Sequence, residues 1–256
     1  MTTPLRLAAA SLVAGLVLSA AAALAAQTTE GKPRETLFVG VDTSGSFRQD
    51  YDNAMSFLAY YLYGHLNGLG GLGKPRNLFV AAIGGRQSSE PKAFRPIHDF
   101  QGKDIAQIET DLRRWFVPTD GLTDFNPFFV QVARIAKERG LVLSAITVMV
   151  VSDGVPDIPV PNLKDDPMAL YRQIDLRPLE YLSKNITVRL AYASPKVGDN
   201  WRRHVPRQRV RLWATEVEVM KGWRAQLMPG AQPAEQARLW KWVRDNVDFR
   251  VRSRGL

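Results

Sequence analysis

The chain has 256 residues, 45% of them hydrophobic, no cysteine, and a formal charge of +9. This length and apolar content suffice for one full core, and the missing cysteines exclude disulfides and lipidation of an N-terminal Cys. The positive excess is lodged at one end: residues 195–256 carry 14 Lys/Arg against 6 Asp/Glu, while residues 27–194 are balanced, which points to an anionic partner or to a solvated basic face.

Leu7 to Ala26 is uncharged and rich in Ala, Leu and Val, and Ala23-Leu24-Ala25 offers small residues for cleavage. Residues 1–26 therefore read as a secretory signal peptide, which implies a periplasmic or secreted protein. The competing reading is an uncleaved anchor, since about 20 apolar residues can span a bilayer. A polar leader over 27–35 follows. Leu37-Phe38-Val39-Gly40-Val41 is a buried strand, and Asp42-Thr43-Ser44-Gly45-Ser46 emerges where it ends. A helix is predicted over 51–66, with Ala54, Phe57, Leu58 and Tyr61 on its core face. Gly68 to Gly73 ends that helix; the run satisfies G-x-G-x-x-G but lies between a helix and a strand, the wrong order for a dinucleotide cradle.

Asn77 to Ile83 reads as a second buried strand, and a short edge strand is expected around 94–97. Ile105, Ile108, Leu112 and Trp115 recur at helical spacing over 103–116. After the loop 117–125, Asn126-Pro127 opens a helix to about Arg139. Ile146 to Val151 is a further apolar strand, and Ser152-Asp153-Gly154 brings another carboxylate to a strand end. A proline-rich loop to 167, a helix over 168–184 and a strand over 186–193 follow. Next come a basic loop over 195–209, a strand over 210–220 and a last helix over 234–247. This alternation predicts an α/β fold: a doubly wound, mostly parallel central sheet with helices on both faces.

In order along the chain, Asp42-Thr43-Ser44-Gly45-Ser46 matches D-x-S-x-S, Gly121-Leu122-Thr123 forms a mid-chain threonine loop, and Ser152-Asp153-Gly154 a final acidic turn. On these motifs the chain resembles the von Willebrand factor type A (VWA) family across residues 36–250, leaving a basic tail at 251–256. The resemblance implies a Rossmann-like fold and a metal-ion-dependent adhesion site holding magnesium or manganese. Carried over, Ser44 and Ser46 bind the ion through their hydroxyls and Thr123 directly or through water, with Asp42 and Asp153 acting mainly through water. Thr119 is a rival for the threonine position, though Thr123 fits the family spacing better. Asp124 reads as a helix cap. The family's partner often supplies a carboxylate to the ion, so the resemblance implies a non-enzymatic module that recruits a protein.

Two further functions are carried beside this one. One is a metal-dependent hydrolase using Ser44 or a metal-bound water; none of His65, His98 and His204 sits in a catalytic motif, and no G-x-S-x-G elbow occurs. The other is a scaffold that binds an anionic envelope polymer or a membrane surface through its basic end. For that role Arg202, Arg203 and Arg207 are the candidates, because Trp201 to Arg211 interleaves basic and aromatic side chains. Export argues against nucleic acid as the ligand.

Overall fold

Strand β1 (Thr36–Asp42) is buried at every position, as a strand must be when both faces of its sheet are covered. Its alternation divides the core in two, with Leu37, Val39 and Val41 in one apolar cluster and Phe38 in the other. The further strands are β2 (Asn77–Ile83), β3 (Arg95–Pro96), β4 (Ile146–Val151), β5 (Ile186–Ala193) and β6 (Arg211–Glu216). The computed structural model describes residues 35–249 apart from 86–89, 91, 143, 160–162 and 184–185. The signal-peptide reading of 1–26, the leader up to 34 and the tail at 251–256 lie outside the described residues.

The sheet order is β3-β2-β1-β4-β5-β6, and every pairing is parallel except that of β3 with β2. The chain winds outward from β1 to one edge, then restarts at β4 and winds to the other. This reversal opens a crevice beyond the carboxyl ends of β1 and β4, the usual place for a ligand in a doubly wound sheet. The fold class read from the sequence is the fold observed.

Helices α1 (Arg48–Asn67), α2 (Ile105–Trp115), α3 (Asn126–Glu138), α4 (Ala169–Arg172), α5 (Pro195–His204), α6 (Val217–Lys221) and α7 (Ala237–Asn246) connect the strands. α1, α2 and α7 supply the cluster that contains Val39, whereas α3 and α5 supply the one that contains Phe38. On α1 the predicted face is right: Ala54, Phe57, Leu58 and Tyr61 are fully buried. α2 opens on a capping box, with Asp104 Oδ1 accepting from the Gln107 N–H (2.8 Å) and Gln107 Oε1 from the Asp104 N–H (3.0 Å). Among the described residues, no helix is long and apolar enough to cross a membrane.

Three expectations need correction. The helix expected over 168–184 is only α4 and a 3-10 turn at Arg177–Leu179. Pro178 disfavours helix before it, and the Asn126 side chain captures the backbone, donating to Gln173 O (2.9 Å) and accepting from Asp175 N–H (2.7 Å). The stretch read as a basic loop contains α5, whose start was visible in Ser194-Pro195: the Ser194 hydroxyl accepts from Val197 N–H at 3.3 Å and proline takes the first helical position. The strand expected over 210–220 stops at Glu216, where α6 begins. The glycine run at 68–73 does connect a helix to a strand, and a side chain at Gly70 would strike Trp240.

Candidate metal centre

β1 ends on Asp42, which is wholly buried. Its Oδ1 accepts the Ser44 N–H at 2.8 Å and its Oδ2 the Ser152 hydroxyl at 2.5 Å. A carboxyl held only by uncharged donors in a dry site is driven toward its neutral form; burial pushes Asp42 up to about 6, against the pull of these hydrogen bonds. Ser152 was not singled out as a site residue, yet it welds the two motifs together. Its N–H donates to Ala191 O (3.0 Å) and its hydroxyl also accepts the Gly154 N–H (2.9 Å).

Ser44 is buried and Ser46 exposed, and their hydroxyl oxygens lie 3.1 Å apart. Ser46 lies close enough to Asp153 to lower its carboxyl, partly offsetting the burial that raises it above its ordinary range. Asp153 Oδ1 accepts the Val155 N–H at 2.9 Å. Hydrogen bonds therefore link Ser152 through Asp42 and Ser44 to Ser46, and Ser46 adjoins Asp153, so the structure brings four of the five predicted residues together.

Thr123 joins them through the backbone. Asp120 N–H donates to Thr43 O and Gly45 N–H to Asp120 O, Leu122 N–H donates to Gly85 O, and Asp157 N–H donates to Thr123 O at 3.0 Å. The Thr43 hydroxyl reinforces the seam, donating to Asp120 Oδ2 at 2.6 Å. Gly84 lies under it with φ 119°, and a Cβ there would stand 3.0 Å from both of those oxygens, so the close approach needs glycine. Of the two candidate threonines, Thr119 is exposed, whereas Thr123 is fully buried and its Oγ1 has no hydrogen-bond partner.

On the β4 side, Gly154 takes φ 76° and its carbonyl accepts the Trp201 indole N–H at 2.7 Å. Trp201 is buried edge-on against Phe125, 5.1 Å away. Thus α5 steadies the acidic turn and α3 the threonine loop. Asp124 Oδ1 accepts the Asn126 N–H at 3.0 Å, a turn just ahead of α3, whose N-cap position is Phe125 and not Asp124. Neither Thr43 nor Trp201 carries a signal that a single sequence could reveal, since each acts by a contact across more than 40 residues.

A cation here would be held by hydroxyls as much as by carboxylates. Among the described residues no group of three or more His, Cys, Asp or Glu side chains is arranged to hold a metal. The residues fit a hard, oxygen-seeking ion: every candidate donor is an oxygen, and the buried Thr123 hydroxyl lacks the partner such groups nearly always have. Elsewhere, Arg202 and Arg203 on α5 share Asp199 (2.5 and 3.9 Å), and Arg207 donates to Trp201 O and Val205 O. His65 Nδ1 donates to Gly73 O near the far end of α1, His98 is exposed beside Asp99, and His204 ends α5.

The reversed strand order, with oxygen-bearing loops gathered at the switch point, defines a VWA-like α/β domain. No protein-family model and no curated protein matches the sequence. Among solved structures, the chain is similar to the pilus adhesin SpaC from Lactobacillus rhamnosus GG in its open conformation, at 10% identity and TM-score 0.49 over 85% of this chain and 31% of that one. It is similar to the SpRpn10 VWA domain at 10% identity and TM-score 0.41, covering 81% of this chain and 94% of that one. It is also similar to the manganese-loaded TRAP protein of Plasmodium vivax, at 18% identity and TM-score 0.36 over 73% and 70% of the two chains. The chain thus spans about a third of the adhesin, and about half of the mussel byssus protein PTMP1, another similar structure. None of these likenesses, all with TM-scores below 0.5, says what this chain binds.

Proposed function

We propose that the chain is an exported, non-enzymatic binding module whose β1–β4 crevice holds one magnesium or manganese ion and, through it, a carboxylate of a protein partner. The observation that carries this reading is the partnerless hydroxyl of Thr123, buried in the seam that also carries Ser44. Ser44, Ser46 and Thr123 would hold the ion directly, while Asp42 and Asp153, already bonded to neighbours, would act through water. The bound cation supplies positive charge to attract and orient an incoming carboxylate. The protein's own part is to hold the hydroxyls in register, fix the Asp42 carboxyl by its two hydrogen bonds and leave the exposed Ser46 side open. Export rests on the apolar run Leu7 to Ala26.

Binding is preferred to hydrolysis because the Ser44 hydroxyl pairs with another hydroxyl rather than with a base. His65 lies about 25 Å along α1 from its first turn, from the rise per residue of a helix. The test is titration calorimetry with magnesium, followed by capture of proteins from an envelope fraction with and without chelator. Wild-type protein should bind one ion and retain a partner only without chelator. Asp153→Ala and Ser44→Ala should lose both while melting as the metal-free wild type does; unchanged magnesium affinity in both variants would refute the reading.

A further inference from the structure

The candidate centre hangs from two separate elements, the loop from β1 into α1 and the turn after β4, and something must hold their spacing. Tyr192 lies where those supports meet. Among the described residues it is the only non-glycine residue with positive φ, at 78°. A bulky side chain is disfavoured in that left-handed region, so the surroundings must hold it there. Tyr192 is buried in the irregularity between Ala191 and Ala193, where β5 slips register against β6.

Its contacts lead to both supports. The ring meets Phe47 edge-on, 5.7 Å between centroids, and Phe47 directly follows Ser46. The hydroxyl donates to Asn53 Oδ1 on α1 at 2.7 Å, an oxygen that also accepts the Trp223 indole N–H at 3.1 Å. On its other side, the preceding residue, Ala191, accepts the N–H of Ser152, whose hydroxyl holds Asp42. Lys221 adds a second tie from the region of Trp223 to the first turn of α1, 3.4 Å from Asp50.

We infer that Tyr192 is a positioning residue for the cation centre: through Phe47 and Asn53 it sets where α1 begins relative to β4 and β5, and so the spacing of Ser44 and Ser46 from Asp153. This rests on the reading that the centre holds a cation. The consequence is selectivity. Magnesium demands a near-ideal octahedron of oxygens at about 2.0–2.1 Å, whereas calcium accepts about 2.3–2.6 Å and an irregular shell. Loosening the spacing penalises magnesium more than calcium.

The experiment measures magnesium and calcium affinities by calorimetry on the full chain as wild type, Tyr192→Phe, Asn53→Ala and Ser44→Ala, with thermal melts in chelator as a check on folding. Tyr192→Phe keeps the ring and removes only the bond to Asn53. It should weaken magnesium about ten-fold, the low end for groups supporting metal ligands, and calcium by less than about three-fold. Asn53→Ala should shift the ratio in the same direction. A merely structural role would lower both affinities together, so an equal loss, or no loss, overturns the inference. If wild type binds neither ion, or Ser44→Ala binds as wild type does, the centre itself is refuted; a Ser44→Ala loss with an unmoved ratio in Tyr192→Phe refutes only the role of Tyr192.

Discussion

The molecule treats two of its carboxyls differently, the partly buried Asp248 and the wholly buried Asp42. Around Asp248 the protein provides its own cation: Arg189 on β5 is buried, its Nε lies 3.9 Å from Asp248 Oδ1, and His65 Nε2 lies 3.9 Å from Oδ2. The same guanidinium clasps the chain after α7, donating to Val247 O (2.8 Å) and Phe249 O (2.7 Å). Around Asp42 the contacts are hydroxyls and an amide N–H, and the carboxyl is pushed toward its neutral form. Asp248 thus has a counter-charge within the protein, whereas at Asp42 the counter-charge is what the proposed cation would supply.

The largest expected effect tests the first half of that contrast. Arg189→Met should leave the partly buried Asp248 without its guanidinium and free two carbonyls, costing at most about 3–5 kcal/mol, the range for fully buried pairs. Urea unfolding in chelator measures it, with magnesium affinity hardly moved in the folded fraction. A loss too small to resolve would erase the distinction between the regions.

The second effect is a pH dependence at the other acid. Because the folded carboxyl of Asp42 sits at about 6 rather than 3.8, its neutral form stabilises the metal-free fold fully below 3.8. That contribution fades as pH rises through about 6. The swing is on the order of 3 kcal/mol at most. Comparing wild type with Asp42→Asn in chelator, from about pH 4 to about pH 7, isolates it. Magnesium should shrink the swing by favouring the ionised form, and a swing unaltered by a saturating ion would mean that Asp42 never senses one.

The smallest effect sharpens the contrast at the surface. Arg202 and Arg203 lean on one exposed acid, Asp199, whose carboxyl Arg202 holds below its ordinary range. Such pairs often contribute nothing measurable. Arg202→Gln combined with Arg203→Gln should therefore leave the melting temperature unchanged. If the pair also serves an anionic partner, the double variant should lose salt-sensitive binding to anionic vesicles; unchanged binding would remove the basic end from the functional account.

Much of this was readable one residue at a time. β1, β2, β4 and β5 announced themselves as apolar runs because strands buried on both faces need apolar side chains throughout. The faces of α1 and α2 followed from helical spacing, and Ser44, Ser46 and Asp153 from short motifs at strand ends. What failed was the stretch over 168–184, where Asn126 intercepts the backbone from about 47 residues away, and α5, whose cap outweighed its basic composition. The role of Ser152 went unseen because its bond to Asp42 joins residues 110 apart.

Local patterning therefore determined the elements, their order and the oxygen-bearing residues at their ends, since backbone preference and burial act over a few residues. Only the tertiary structure decided that β1 and β4 are neighbours, that Thr123 rather than Thr119 is buried without a partner, and that Arg189 rather than the basic carboxyl end faces the partly buried Asp248. Those outcomes depend on which distant surfaces exclude water together. Desolvation strengthens a charge or an unmet hydrogen bond only once the chain has closed around it.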